Sequence, residues 1–235
     1  MTPLSKISPS YEFFVLGDSH TLAVLSAAEI AGIPIAGGML EGGRNLNIDF
    51  YEQQGCAIIF KDLKVQNRYQ NYLDSAGLRS IVDLKRPLLC TFGMNIHYLS
   101  GMGFWDGLTV GSGPHGHFIS RAVLKETVRA LIAGALSFYS AVANMGIAVI
   151  SALPPRRTPN HSTNSVPEFF LAIEDISIEL ISEAGAIVID HRRKTLDEDG
   201  HLKREYLHQD NTDDVHGSAA FGYVILNEVM RYASE

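Results

Sequence analysis

Short apolar runs that alternate with longer stretches of helical periodicity leave this 235-residue chain few architectures to choose from. The runs at 13–16, 33–36, 57–60, 87–92, 147–152 and 186–189 are four to six residues long, which suits strands and not helices. Between them, 19–31, 67–76, 120–145, 167–184 and 218–232 carry helical patterns, the first closed by Gly32 in the position that favours a left-handed residue. Strands alternating with helices imply a parallel sheet covered on both faces. The expected fold is therefore α/β, a three-layer α/β/α sandwich with a central parallel sheet of about five strands. One domain over 1–235 is expected, with a Gly-rich loop insertion at 101–117, where six of seventeen residues are glycine.

The stretch 130–153 holds no charged residue and is long enough to cross a bilayer. It also holds Ser137, Ser140, Asn144 and Gly146 and runs into Pro154-Pro155. It reads as a buried helix end, a glycine stop and a core strand, so no transmembrane segment is expected. A net charge of −7 and the absence of a basic stripe argue against a nucleic-acid partner. His191-Arg192-Arg193-Lys194 is a short basic cluster, answered by Asp197, Glu198 and Asp199. Cys56 and Cys90 lack metal-ligand spacing, and two cysteines do not make a stapled secreted scaffold, although one disulfide is possible. No signal-peptide pattern opens the chain, which leaves a cytoplasmic protein as the default.

In an open parallel sheet, ligands bind at the C-terminal strand ends, so the residues that follow each strand matter most. After the first comes Gly17-Asp18-Ser19-His20. A serine at a strand-to-helix junction projects its hydroxyl from the sheet edge, near a helix N-terminus that favours an oxyanion. The plainer reading is that Asp18 or Ser19 is a helix N-cap. Asp213-x-x-His216 directly precedes the last helical stretch, and a carboxylate three residues before a histidine can reach its ring. Gly93-Met94-Asn95 follows the strand at 87–92, where an Asn amide could donate to an oxyanion and a glycine permits close backbone approach.

Taken in chain order, these segments resemble the SGNH (GDSL-type) hydrolases, whose blocks carry an invariant Ser, Gly, Asn and His. Val15-Leu16-Gly17-Asp18-Ser19-His20 resembles the first block, Gly93-Met94-Asn95-Ile96 the Gly-x-Asn-Asp block with Ile96 in place of Asp, and Asp213 to His216 the last. The resemblance implies a serine esterase that needs no cofactor. Ser19 would be the nucleophile, His216 the general base and Asp213 its partner. Ser19, Gly42 and Asn95 would form the oxyanion hole. Gly42 is chosen from the loop 36–45 because it lies several residues past the second strand, with Gly43 and Gly38 as alternatives. The substrate would be a small-molecule, glycan or lipid ester, and the motifs leave the oligomeric state open. An acyltransferase with the same triad, and a catalytically silent binding module of the same fold, are the alternatives. The binding module predicts that Ser19, His216 and Asn95 do not converge.

Other signals carry less. His20 and His97 adjoin predicted site residues and could line a pocket. Residues 111–116 match GxGxxG by spacing but do not open the first βαβ unit, so no dinucleotide site is expected. His115 and His117 lack a third ligand, so no metal is expected either. Phe104 and Trp105 could contact an apolar or sugar group. There is no GxSxG, which argues against an α/β-hydrolase nucleophile elbow.

Overall fold

The computed structural model describes residues 11–105, 107–110, 117–156, 167–210, 213 and 215–233. In chain order the strands are β1 (Phe14–Gly17), β2 (Ala36–Met39), β3 (Tyr51–Gln54), β4 (Ala57–Phe60), β5 (Leu88–Cys90), β6 (Leu108–Thr109), β7 (His117–Phe118), β8 (Val149–Ala152) and β9 (Ile187–Ile189). The helices are α1 (Thr21–Ala31), α2 (Leu63–Ser75), α3 (Ile96–Ser100), α4 (Arg121–Leu131), α5 (Ala133–Asn144), α6 (Pro167–Glu183), α7 (Arg192–Thr195) and α8 (Ala219–Ala233). Five strands form a central parallel sheet in the order β2-β1-β5-β8-β9. Both faces are covered, as the apolar runs imply. Phe13, Val15, Leu89 and Ile150 point to α1 and α8, where they pack with Val24, Ala27, Ile225 and Val229. Phe14, Leu16, Leu88 and Cys90 point the other way, into a larger core with Phe138, Tyr139, Ile173 and Leu180 of α5 and α6.

Three sequence expectations need correction. The second strand lies at Ala36–Met39, not 33–36. Pro34 has no N–H to give a ladder, and pairing with β1 begins only at Ala36 opposite Phe14. Gly37 and Gly38 belong inside this strand because a Cβ on Gly37 would come within 2.0 Å of the Val15 carbonyl oxygen. The run 57–60 is a strand but stands outside the central sheet, in an antiparallel hairpin of β3 and β4. The long helix at 120–145 is two helices that break at Ile132. There the Asn47 carbonyl accepts the Gly134 and Ala135 N–H groups at 2.9 and 3.3 Å. A Cβ on Gly134 would sit 1.4 Å from the Ile48 carbonyl oxygen, so the loop wedges into the helix at its glycine.

The uncharged stretch resolves as α5, a turn at Gly146 (φ 78°) and the buried strand β8. Among the described residues no helix is long and apolar enough to cross a membrane. Cys56 is exposed and Cys90 buried, both as free thiols. Residues 106 and 111–116 of the Gly-rich segment, including the GxGxxG spacing and His115, lie outside the described residues, as does the Phe104 side chain. Trp105 is buried, its ring 5.0 Å from that of Phe169.

Chain order reverses across the sheet between β1 and β5, which opens a crevice at their C-terminal ends. Ser19 follows β1 and Asn95 follows β5. The far side of the crevice depends on α8, which presses on α1 through Gly222. A Cβ there would lie 1.9 Å from the Ala23 carbonyl oxygen. Gly222→Ala is expected to force the helices apart and to lower stability by about 1–3 kcal/mol, the usual cost of overpacking. A urea midpoint that stays at the wild-type value, with unchanged slope, would refute this.

Candidate active site

Ser19 sits in the tight turn between β1 and α1. The turn is held by the Asp18 carboxylate, which accepts the His20 N–H at 3.0 Å and the Thr91 hydroxyl at 3.1 Å. The N-cap of α1 is His20, with no side-chain cap, so neither Asp18 nor Ser19 serves as the helix cap. The segment before α8 brings His216 to this turn. Asp213 Oδ1 accepts the backbone N–H groups of Val215 and His216 at 3.1 and 3.0 Å, closing a compact turn. His216 Nδ1 lies 2.7 Å from Asp213 Oδ2, and Nε2 lies 2.7 Å from Ser19 Oγ. A carboxylate can only accept, so the Nδ1 proton faces Asp213. The neutral ring then offers the Nε2 lone pair to the Ser19 hydroxyl, which donates. Residues 197 positions apart in the chain thus form one hydrogen-bonded row. The separation expected of a silent binding module is not present.

Asn95 is buried at the start of α3. Asn47 Nδ2 donates to its Oδ1 at 3.3 Å, and Asn95 Nδ2 is buried with no partner among the described residues. The loop after β2 packs its backbone on this amide. A Cβ on Gly43 would lie 2.6 Å from Asp18 Oδ2 and 2.9 Å from Asn95 Nδ2. Gly42 also borders the cavity, but its N–H donates to Glu41 Oε1 at 2.8 Å. Gly38 lies within β2 against the Tyr72 hydroxyl and is not part of the cavity wall.

No family model matches the chain, and no curated protein matches it in sequence. Solved structures match it in shape. A candidate platelet activating factor from Streptococcus pneumonia is 14% identical, over 98% of this chain and 86% of that one, with a TM-score of 0.50. A lipase/acylhydrolase from Enterococcus faecalis is 14% identical over 94% and 96% of the two chains, with a TM-score of 0.48. A GDSL-like lipase from Bacteroides thetaiotaomicron is 13% identical over 94% and 86%, with a TM-score of 0.46. At such identities the likeness is one of fold. The chain shares the α/β/α fold of the first of these structures, with its five-stranded parallel sheet.

Within this fold, Ser19, His216 and Asn95 border one cavity of about 640 Å³. His20 and His97 border it too, with ring centroids 6.0 Å apart, and the His20 ring is 5.3 Å from that of His216. Burial, helped by the nearby His216, holds His20 down to about 3, so it stays neutral. Burial pushes the Asp18 carboxyl up to about 7, against the hydrogen bonds from His20 N–H and Thr91 and the pull of His216. At Asp213 burial also acts upward, but the hydrogen bonds from the His216 backbone and ring and from Val215 outweigh it and hold the group at about 2. Ile96 is buried in the larger core, so packing fixes the start of α3 where the family pattern has Asp. Thr91 and Asn47 were not legible as site residues. Each acts only through a neighbour that is remote in sequence, and neither stands in a motif.

Asp18 predicts a pH signature. Its carboxyl is near 3.8 when unfolded and about 7 when folded, so between these values the native chain holds more protons. This group's contribution therefore makes stability fall as pH rises from about 4 to about 7. Asp18→Asn removes that slope. The stability of the variant relative to wild type should climb across this window by a few kcal/mol. Denaturant titrations at several pH values that give a constant difference would contradict it.

Proposed function

We propose that the protein is a serine carboxylic ester hydrolase acting on short acyl esters of polar alcohols. The observation that carries this reading is the row Ser19–His216–Asp213, with both links at 2.7 Å, opening on the same cavity as Asn95, whose Nδ2 has no partner among the described residues. Ser19 Oγ attacks the ester carbonyl as His216 Nε2 takes its proton. Asp213 stabilises the imidazolium that results and fixes the ring. The developing oxyanion is held by the Ser19 N–H, Asn95 Nδ2 and the Gly43 N–H. Gly43 replaces Gly42 in this role, because the Gly42 N–H is given to Glu41 while Gly43 packs against Asn95. His216 then protonates the departing alcohol, and in the second half it activates the water that releases the acid. A neutral His20 beside His216 adds no competing charge. The substrate class follows from the walls. Among the described residues that line the cavity, Val215 is the one aliphatic side chain, while His20, Asn45, His97, Tyr98 and Asp210 are polar. A long acyl chain would meet a single aliphatic side chain here.

The test is hydrolysis of p-nitrophenyl acetate and p-nitrophenyl octanoate. Wild type should favour the acetate, and Ser19→Ala should lose at least about 10³-fold in kcat. Asn95→Ala should lose about 10²–10³-fold. Equal turnover by Ser19→Ala, or failure of a fluorophosphonate to label Ser19, would sink the reading. The glycines separate cleanly. A methyl at Gly42 meets nothing within 4 Å, whereas one at Gly43 strikes Asp18 and Asn95. Gly43→Ala should therefore cost far more kcat than Gly42→Ala, and the reverse order would return the role to Gly42.

A further inference from the structure

Arg44 borders the cavity one residue beyond Gly43, and it is the one Lys or Arg among the described residues that do so. Its guanidinium carbon lies 4.4 Å from the centroid of the Tyr98 ring. Tyr98 stands on α3 three residues after Asn95 and borders the same cavity. Stacking fixes the plane of a guanidinium without using its in-plane N–H donors. Other arginines spend theirs: Arg121 and Arg129 on Glu179 and Glu183, Arg192 on Asp190, Glu174 and Asp175. Arg44 makes no hydrogen bond or ion pair to the described residues. The acidic groups of the cavity do not offer one, since Asp18 is buried against Thr91 and Asp213 is bound to His216. Asp210 borders the cavity as well, and no ion pair joins it to Arg44. A planar fork of free donors, oriented by an aromatic ring beside the reacting centre, matches a carboxylate or phosphate and little else.

We propose that Arg44, held by Tyr98, selects esters that carry an anionic group. The proposal rests on the esterase reading and refines its substrate. Three esters separate the possibilities. Phenyl acetate is neutral, 4-acetoxybenzoate carries its carboxylate on the alcohol side, and phenyl hydrogen succinate carries it on the acyl side. Wild type should prefer one anionic ester to phenyl acetate by kcat/KM. In Arg44→Gln that ratio should fall about 10–100-fold, the worth of a hydrogen-bonded charge, with the loss mainly in KM. Arg44→Lys should fall between the two. The proposal is also read without turnover. By calorimetry on Ser19→Ala, 4-acetamidobenzoate or N-phenylsuccinamate should bind more tightly than its neutral carboxamide, and Arg44→Gln should abolish the difference. If no ester is hydrolysed, the esterase reading fails while calorimetry still decides Arg44. Carboxylates that bind no better than their amides, or an ester ratio that Arg44→Gln leaves unchanged, overturn the proposal.

Discussion

The whole site hangs on how closely α1 and α8 approach. Ser19 belongs to the turn that opens α1, and His216 to the segment that opens α8. A 2.7 Å contact between their side chains is possible only if the two helices lie nearly backbone to backbone. Gly222 permits this, because any side chain there would meet the Ala23 carbonyl. Apolar packing then holds the pair, with Ala23, Val24 and Ala27 of α1 against Phe221, Ile225 and Val229 of α8 over the outer face of the sheet. The small residues of α1 are as much a requirement of the site as the serine that precedes them. A bulkier face would keep the fold and lose the contact.

On that frame the ionisable groups are driven apart. Two carboxylates stand near one histidine, yet burial pushes Asp18 up to about 7 while hydrogen bonds hold Asp213 at about 2. Only the second keeps a firm negative charge, and it faces Nδ1. His20, desolvated and held at about 3, stays neutral beside the His216 ring. Environments that separate like groups in this way are what the proposed roles of Asp213 and His216 require. The Asp18 carboxyl instead spends its bonds on the turn, tying β1 to the end of β5 through Thr91.

How much of this was legible follows from the range of each cause. The alternation of apolar runs and helical patterns foretold a five-stranded parallel sheet, because periodicity is local. Phe13 to Leu16 followed by Gly-Asp-Ser, and Asp-x-x-His before α8, could be read together because each segment is contiguous and each sits at an element boundary. β2 was misplaced because Gly37 and Gly38, poor strand formers in isolation, are required by close contacts, Gly37 with the β1 backbone and Gly38 with Tyr72 of α2. The break at Ile132 was invisible for a like reason, since its cause is a loop some eighty residues upstream. The choice among Gly38, Gly42 and Gly43 turns on one side chain, Glu41, and on which backbone faces Asn95, neither of which spacing encodes.

The same logic explains why a departure from the family pattern at Ile96 leaves Asn95 well placed. An Asn that is to donate into a cavity needs its oxygen occupied and its helix start immobile. The first condition is met from a distance, by Asn47 at 3.3 Å. The second is met by burial, since Ile96, Met94 and Leu99 anchor the segment in the larger core on either side of Asn95. The backbone before it is fixed by Gly93, whose left-handed φ of 84° brings the chain against Ala135, where a Cβ would lie only 2.8 Å from the Ala135 methyl. Asn47 is in turn tied to α5, its carbonyl accepting the N–H of Gly134 and Ala135. The wedge that breaks the long helix is therefore also the strut that orients the amide. Loop 43–50, which carries Gly43, Arg44 and Asn47, is braced against α5 for that reason, so the helix break and the order of the cavity wall share one physical cause.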